Sequence, residues 1–253
     1  MAPLAWLPLL ALLLAAPAKA RELPPPDQRK ATADEPAPLE YIEIVTAGAD
    51  PREDLPLILV VHGLGDRPES FIRVFDDFPV RARVVAARGP LPRGRGQSWF
   101  PIRFPVRADD PAMIEGIRES SAKLAALARW LTRRRPIVGR PIITGFSQGG
   151  ILSFAVALHH PDAVAAAVPV AGALPPALWG AAPMPPGAGR LPPIRALHGE
   201  ADRVVPYLAA NALVLALKAG GRDATMQPFA GVAHRIPPEM RRAVFAAIQA
   251  ALP

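Results

Sequence analysis

Apolar residues recur along this chain in two alternating patterns. Short segments that are continuously apolar, or that alternate apolar with polar residues, are typical of β-strands. Longer segments with apolar residues at three- and four-residue steps predict helices. The predicted strands cover residues 41–45, 57–61, 83–87, 141–144, 164–170, 194–197 and 224–229. The predicted helices cover residues 111–135, 148–160, 206–219 and 237–250.

The alternation of strands with helices predicts an α/β fold with a mainly parallel central sheet flanked by helices. Residues 57–61 are apolar at every position, which is typical of a strand buried on both faces. Residues 41–45 alternate instead, as a half-exposed edge strand does. Parallel sheets bind their ligands at the carboxyl ends of the strands, so functional residues are expected directly after them.

The N-terminal segment predicts a signal peptide at residues 1–20. Residues 4–16 are apolar and rich in Leu and Ala, and residues 18–20 (AKA) match the pattern that signal peptidase cleaves. No positive charge precedes the apolar run, so an uncleaved anchor and a start codon elsewhere stay as alternatives. We expect an exported protein, periplasmic or secreted. A proline-rich linker is predicted at residues 21–39, and the globular domain at residues 40–253.

Charge and composition narrow the classes of partner. The net charge is +7, and the basic residues, nearly all arginine, are scattered along the chain. One tight run, residues 133–135, ends a predicted helix, where cations complement the negative end of the helix dipole. No nucleic-acid-reading motif accompanies the charge, so we predict no nucleic-acid partner. Proximity to an anionic membrane surface stays open, as does the oligomeric state.

Cysteine is absent from the chain. That excludes disulfides, a thiolate nucleophile and cysteine-based zinc sites. The five histidines lack the spacing of a ligand motif, so the sequence predicts no metal site.

A serine stands in a glycine-rich turn after the predicted strand 141–144. Residues 145–150 (GFSQGG) match G-x-S-x-G, a sharp strand-to-helix turn that exposes the serine at a helix N-terminus. Ser147 is therefore the candidate nucleophile. The alternative is a plain glycine-rich turn.

A serine hydroxyl needs a general base, and the base needs an orienting carboxylate. His234 and Asp202 each follow a predicted strand, which places both on the same rim of the sheet as Ser147. His234 is the candidate base and Asp202 the candidate acid. Glu200, two residues away, is the alternative acid. His198 ends a strand and is expected to hydrogen-bond locally.

The reaction also needs hydrogen-bond donors for the oxyanion of the tetrahedral intermediate. The backbone N–H of Gln148 is one candidate, since amides at a helix N-terminus have no intrahelical partner. The glycine-rich loop 62–66 (HGLGD) follows a buried strand and offers a second donor, the backbone N–H of Leu64.

Several of these motifs together resemble one known family. Residues 62–66, 145–150, 198–206 (HGEADRVVP) and His234 resemble, in order, the four signature blocks of the phospholipase/carboxylesterase group of α/β-hydrolases, which includes acyl-protein thioesterases. Residues 96–100 (GQSWF) resemble the region where that group has a tryptophan–aromatic pair beside the substrate pocket.

The resemblance implies an α/β-hydrolase catalytic domain that cleaves carboxylic esters or thioesters through an acyl-enzyme, without a cofactor. Its substrate would be a small-molecule or lipid ester. Ser147, Asp202 and His234 would be catalytic, and Trp99 and Phe100 would bind substrate. Core packing is the alternative for the two aromatic residues.

The chain departs from the compact family pattern in its N-terminus and in residues 174–193. The latter segment is rich in proline and is either a lid over the site or a disordered insertion. Dienelactone, feruloyl-ester or polyester hydrolysis would use the same triad with a different pocket. A non-catalytic binding protein on this fold is the alternative outside enzymes.

Overall fold

The computed structural model describes residues 36–103, 106–180 and 191–253. The predicted signal peptide, most of the predicted linker and residues 181–190 of the proline-rich segment lie outside the described residues. The predictions made for them stay predictions.

Nine strands and five α-helices form the described part of the chain. The strands are β1 (Tyr41–Val45), β2 (Leu55–Val61), β3 (Arg83–Ala87), β4 (Leu91–Arg93), β5 (Gly96–Ser98), β6 (Ile137–Phe146), β7 (Ala166–Val170), β8 (Ile194–Gly199) and β9 (Ala224–Phe229). The α-helices are α1 (Pro68–Phe71), α2 (Pro111–Arg134), α3 (Gln148–His159), α4 (Tyr207–Ala219) and α5 (Pro238–Gln249). Short 3₁₀ helices span Ile72–Phe75 and Pro176–Leu178.

Seven of the strands form one sheet in the order β1-β3-β2-β6-β7-β8-β9. The edge strand β1 pairs antiparallel with β3, and the other pairs are parallel. The predicted α/β fold is therefore confirmed, including the edge position of residues 41–45. The remaining strands, β4 and β5, form a separate antiparallel hairpin.

The sheet divides the apolar core into two layers. Side chains of a strand point alternately to the two faces, and β2 is apolar at nearly every position because both faces are covered. Leu57, Leu59 and Val61 pack with residues of α2, α3 and α4 on one face. Ile58 and Val60 pack on the other face with residues of α1 and α5. Among the helices of the described ranges, none is long and apolar enough to cross a membrane.

The order of the strands determines where a ligand can bind. The chain moves from β2 outward to β3, and then returns to place β6 on the other side of β2. The loops that follow β2 and β6 therefore leave the sheet in opposite directions, which opens a crevice between them. Loop 62–66 and the turn at Ser147 border this crevice.

Candidate active site

Ser147 occupies the turn between β6 and α3. Its backbone has φ 58° and ψ −113°, a conformation that residues other than glycine rarely adopt. The turn is held because Ser147 N–H donates to Val170 O on β7 (3.0 Å) and Ile151 N–H donates to Ser147 O (2.9 Å). Neighbouring structure thus maintains a strained backbone that presents the hydroxyl at the crevice.

The glycines after Ser147 allow α3 to pack against the ends of two strands. A Cβ atom on Gly149 would lie 1.9 Å from Val61 O, and one on Gly150 would lie 2.4 Å from Val170 O. Any larger residue would push the helix away from the sheet. The glycines of the motif are therefore required by the close approach of backbones, which also fixes the position of Ser147.

Three side chains from three loops meet at this turn. His234 Nε2 lies 2.9 Å from Ser147 Oγ, and His234 Nδ1 lies 2.6 Å from Asp202 Oδ2. Asp202 follows β8 and His234 follows β9, as the sequence predicts. The ring of Phe146 packs 4.7 Å from the imidazole, centroid to centroid. The geometry matches that of a serine, a general base and an orienting carboxylate.

The carboxylate of Asp202 is buried and fully engaged. While Oδ2 faces His234, Oδ1 accepts hydrogen bonds from the N–H groups of Val204 and Val205, both at 2.9 Å. Glu200 is exposed, and its backbone N–H donates to Phe229 O. Of the two acids that the sequence offers, the structure brings Asp202 to His234 and leaves Glu200 at the surface.

His198 lies behind the acid, away from Ser147. Its side chain is buried, and Nε2–H donates to Val205 O (2.8 Å) with Asp202 Oδ2 at 3.4 Å. Burial lowers the pKa of His198 below its usual value, so the neutral imidazole is favoured. This local bonding is what the sequence predicts for His198.

The loop after β2 lies directly against the nucleophile. A Cβ atom on Gly63 would lie 3.5 Å from Ser147 Cβ. The loop amides of Gly65 and Asp66 already donate, to Gln97 O (2.8 Å) and Gly63 O (3.3 Å) respectively. Leu64 directly precedes these two residues and lines the crevice. Its backbone N–H is thus the candidate donor in this loop.

His62 holds that loop in place. Its buried ring donates from Nδ1 to Gly63 O (2.8 Å) and accepts at Nε2 from Gly89 N–H (3.1 Å). The bond from Gly89 N–H requires the neutral imidazole, and burial lowers the pKa of His62 in agreement with this. The indole N–H of Trp99 donates to His62 O (3.0 Å).

The side chain of Gln148 makes hydrogen bonds that the sequence does not predict. The sequence predicts a role only for its backbone N–H, as a donor to the oxyanion. Gln148 is buried, and its Oε1 accepts from Trp99 N–H (3.0 Å). Its Nε2 donates to Phe100 O (3.3 Å) and interacts with Ser98 Oγ (3.1 Å). The residue after the nucleophile therefore ties the turn to the segment that carries Phe100. A glutamine at the start of an otherwise apolar helix is the sequence signal for this role.

A cavity of about 860 Å³ opens at Ser147 and His234. Its wall is mostly apolar, and the side chains include Phe100, Ile102, Val106, Met113, Phe146, Ile151, Leu174, Trp179, Val204 and Val205. Among the described residues that line the cavity, Asp66 carries a charge and His234 is ionisable. Such a wall suits an uncharged, apolar ligand.

The predicted aromatic pair divides between wall and core. Both side chains are almost fully buried, with 0% of Phe100 and 1% of Trp99 exposed, but Phe100 is among the residues that line the cavity and Trp99 is not. The core-packing alternative thus describes Trp99. Leu174, Pro175, Pro176 and Trp179, from the described part of the proline-rich segment, also line the cavity.

In residues 36–103, 106–180 and 191–253, no group of three or more His, Asp or Glu side chains is arranged to hold a metal ion.

Comparisons with known proteins agree with this architecture. The model of the phospholipase/carboxylesterase family matches residues 40–252. Acyl-protein thioesterase 1 of Gibberella zeae is 24% identical over 213 residues, which cover 78% of this chain and 90% of that protein.

Two solved structures share the fold. The crystal structure of esterase PE8 has a TM-score of 0.71 at 22% identity, and the match covers 85% of this chain and 99% of that one. Acyl-protein thioesterase 2 of Zea mays has a TM-score of 0.69 at 23% identity, with 84% and 98% covered. Since the family match spans the whole of the described sheet and its helices, this chain belongs to the phospholipase/carboxylesterase family.

Proposed function

We propose that this protein hydrolyses carboxylic esters or thioesters through an acyl-enzyme formed on Ser147. Membership of the phospholipase/carboxylesterase family supports hydrolysis of this kind. Two short contacts carry the assignment to Ser147. Its Oγ lies 2.9 Å from His234 Nε2, and His234 Nδ1 lies 2.6 Å from Asp202 Oδ2. A hydroxyl bonded to an oriented imidazole is an activated nucleophile.

In the proposed reaction His234 Nε2 takes the proton of Ser147 Oγ as the hydroxyl attacks the acyl carbon. The tetrahedral intermediate collapses when His234 returns that proton to the leaving alcohol or thiol, which leaves the acyl group on Ser147. A water molecule then attacks, again with His234 as base, and releases the carboxylic acid. Asp202 holds the tautomer with the proton on Nδ1 and stabilises the imidazolium.

The negative oxygen of the intermediate is assigned to two backbone donors, Leu64 N–H and Gln148 N–H. Gln148 is the first residue of α3, where an amide has no intrahelical acceptor and the helix dipole favours negative charge. Gly63 in the neighbouring loop approaches the Ser147 side chain closely, which brings Leu64 to the same side. Removal of one such donor typically reduces kcat about 10²- to 10³-fold.

The cavity supports an apolar acyl group as the favoured substrate part. Phe100, Met113 and Ile151 give the cavity a hydrocarbon wall. The carboxylate of Asp66 also lines the cavity and repels substrates that carry a negative charge near it. We therefore assign neutral esters or thioesters of medium to long acyl chains.

The test is the kcat/KM of the purified protein over p-nitrophenyl esters from acetyl to dodecanoyl and over matching acyl thioesters. The proposal expects kcat/KM to rise beyond the acetyl ester, since each methylene buried in an apolar pocket contributes about 0.8 kcal/mol. Absence of hydrolysis across the whole panel, by protein with a cooperative melting transition, would leave the non-catalytic alternative.

Export is proposed separately, on the apolar run at residues 4–16 and the cleavage pattern at residues 18–20. N-terminal sequencing of the protein from its host is expected to begin at or near Arg21. Soluble cytosolic protein that retains Met1 or Ala2 would refute it.

A further inference from the structure

The outer face of α4 is unusually apolar for a surface helix. Leu208 is 76% exposed and Leu215 is 58% exposed, and Val204, just before the helix, is 63% exposed. Leu208 and Leu215 are seven residues apart, so they lie on the same face. A single exposed leucine needs no explanation, but a group on one helix face does.

The sequence of the helix reinforces this observation. No charged residue occurs from Val204 to Leu217. A surface helix ordinarily pairs its buried apolar stripe with a charged or polar outer face. Helix α4 buries Ala210, Leu213, Val214 and Leu217 against the domain, yet its outer face is apolar as well. The second apolar face is therefore not explained by packing within the described chain.

This outer face, formed by Val204, Leu208, Ala212 and Leu215, is continuous with the rim of the cavity. Val204 and Ala212 belong to it and also line the cavity that contains Ser147. An apolar surface thus extends from the outside of the molecule to the candidate catalytic centre.

The charges around the apolar face select among its possible partners. Arg203 precedes it, Lys218 follows it, and both are exposed. A symmetric dimer through α4 would bring these cations close to one another, because both subunits use the same patch. Like charges at an interface are unfavourable. An anionic surface instead would neutralise them, and the net charge of +7 adds to the attraction.

We propose that the outer face of α4 docks onto an anionic lipid surface, so that an ester in the lipid reaches the cavity without crossing water. Leu208 and Leu215 enter the interfacial region, and Arg203 and Lys218 contact the headgroups. The docking is a property of the surface alone, whereas the delivery of an ester rests on the proposed function.

The docking is tested by flotation of the full-chain Ser147→Ala protein with vesicles of phosphatidylcholine, with and without phosphatidylglycerol. The Leu208→Glu/Leu215→Glu double variant is expected to bind anionic vesicles at least about tenfold more weakly. The matched control is Val138→Glu, which changes an exposed valine (39%) on β6 and should bind as the parent does. Arg203→Gln and Lys218→Gln should each weaken binding to anionic vesicles about fivefold, and binding to neutral vesicles little.

Equal binding by the parent and the double variant would overturn the proposal, as would absence of binding to anionic vesicles. A dimer in size-exclusion chromatography that Leu208→Glu dissociates, without vesicle binding, would assign the face to a second copy and also overturn it. Because Ser147→Ala performs no chemistry, this result is independent of the proposed function. In the active protein the double variant should keep its kcat/KM on a water-soluble ester and lose activity on vesicle-borne ester.

Discussion

Asp202 Oδ2 lies 2.6 Å from His234 Nδ1, although the two residues are 32 positions apart in the chain. The contact depends on Gly199, where a Cβ atom would lie 2.1 Å from Val232 O. The loops after β8 and β9 approach closely only because position 199 lacks a side chain. Glu200 follows the same strand but points to solvent, so the chain offers a matched pair of carboxylates for comparison.

Asp202→Asn should reduce kcat about 10⁴-fold, because an amide no longer fixes the His234 tautomer or stabilises the imidazolium. Glu200→Gln should leave kcat within about twofold, as expected for an exposed side chain. Steady-state kinetics of the two variants on one ester tests this directly. If Glu200→Gln is the inactive variant, the orienting acid has been assigned to the wrong residue.

Gln148→Leu should raise KM for long-chain esters more than it lowers kcat. The variant keeps the backbone N–H at the proposed oxyanion site but releases Trp99 N–H and Phe100 O, which belong to the segment that carries the cavity wall. Leaving a buried N–H unpaired should also lower the free energy of unfolding by about 1–3 kcal/mol. Kinetics and denaturant unfolding measure both effects. A fall in kcat at constant KM would point instead to a direct role of the side chain in the reaction.

Gly149→Ala should lower the free energy of unfolding by at least about 2 kcal/mol, since the added methyl group meets Val61 O at 1.9 Å. The control is Gly180→Ala, where nothing lies within 4 Å of the added atom. That variant should be as stable as the parent or slightly more so. The melting temperatures of the two variants are compared by thermal unfolding. Equal melting temperatures would show that the turn accommodates the methyl group without loss of stability.

Buried histidines should make the fold less stable in mild acid. Burial lowers the pKa of His198 below that of a histidine in the unfolded chain, and Asp202 and His234, its ionisable neighbours, do not reverse this direction. The unfolded state therefore binds more protons once the pH falls below about 6.5, and stability decreases as pH falls.

His198→Gln should remove one contribution to the fall of the unfolding free energy with pH, up to about 1.4 kcal/mol per pH unit. The contributions of His62 and His160, whose pKa values burial also lowers, should remain. The free energy of unfolding of parent and variant between about pH 7 and about pH 5 is the measurement. Parallel curves would show that His198 does not titrate on unfolding.

The sequence predicts the elements whose pattern reflects burial. Strand β9 spans residues 224–229 as predicted, and α3 ends one residue before the predicted end. Strand β6 is longer than the predicted 141–144 because its first residues include the exposed Val138 and the positive-φ Gly139, which carry no strand pattern. The apolar pattern also does not predict the hairpin of β4 and β5. It is short and partly exposed, and backbone hydrogen bonds to the distant loop 62–66 hold it.

The residues of the candidate site follow the same rule. The meeting of Ser147, Asp202 and His234 could be predicted because each lies within five residues after the end of a strand, and strand ends are visible in the apolar pattern. The side-chain bonds of Gln148 and the burial of Trp99 depend on contacts between residues about fifty positions apart. The sequence also does not predict the exposure of Leu208, because the leucines of an apolar helix are expected to be buried.

The central claim, that Ser147 is the nucleophile, is tested most directly by intact-mass analysis after reaction with a fluorophosphonate. Ser147 Oγ should displace fluoride and lose its proton, so the parent protein gains the mass of one probe less HF. A digest should place this added mass on the peptide that contains residues 145–150. The Ser147→Ala variant should fold with an unchanged melting curve, gain no mass and lose on the order of 10⁶-fold in kcat. Labelling of Ser147→Ala at the parent's rate, or ester hydrolysis by that variant above about one per cent of the parent's, would contradict the account.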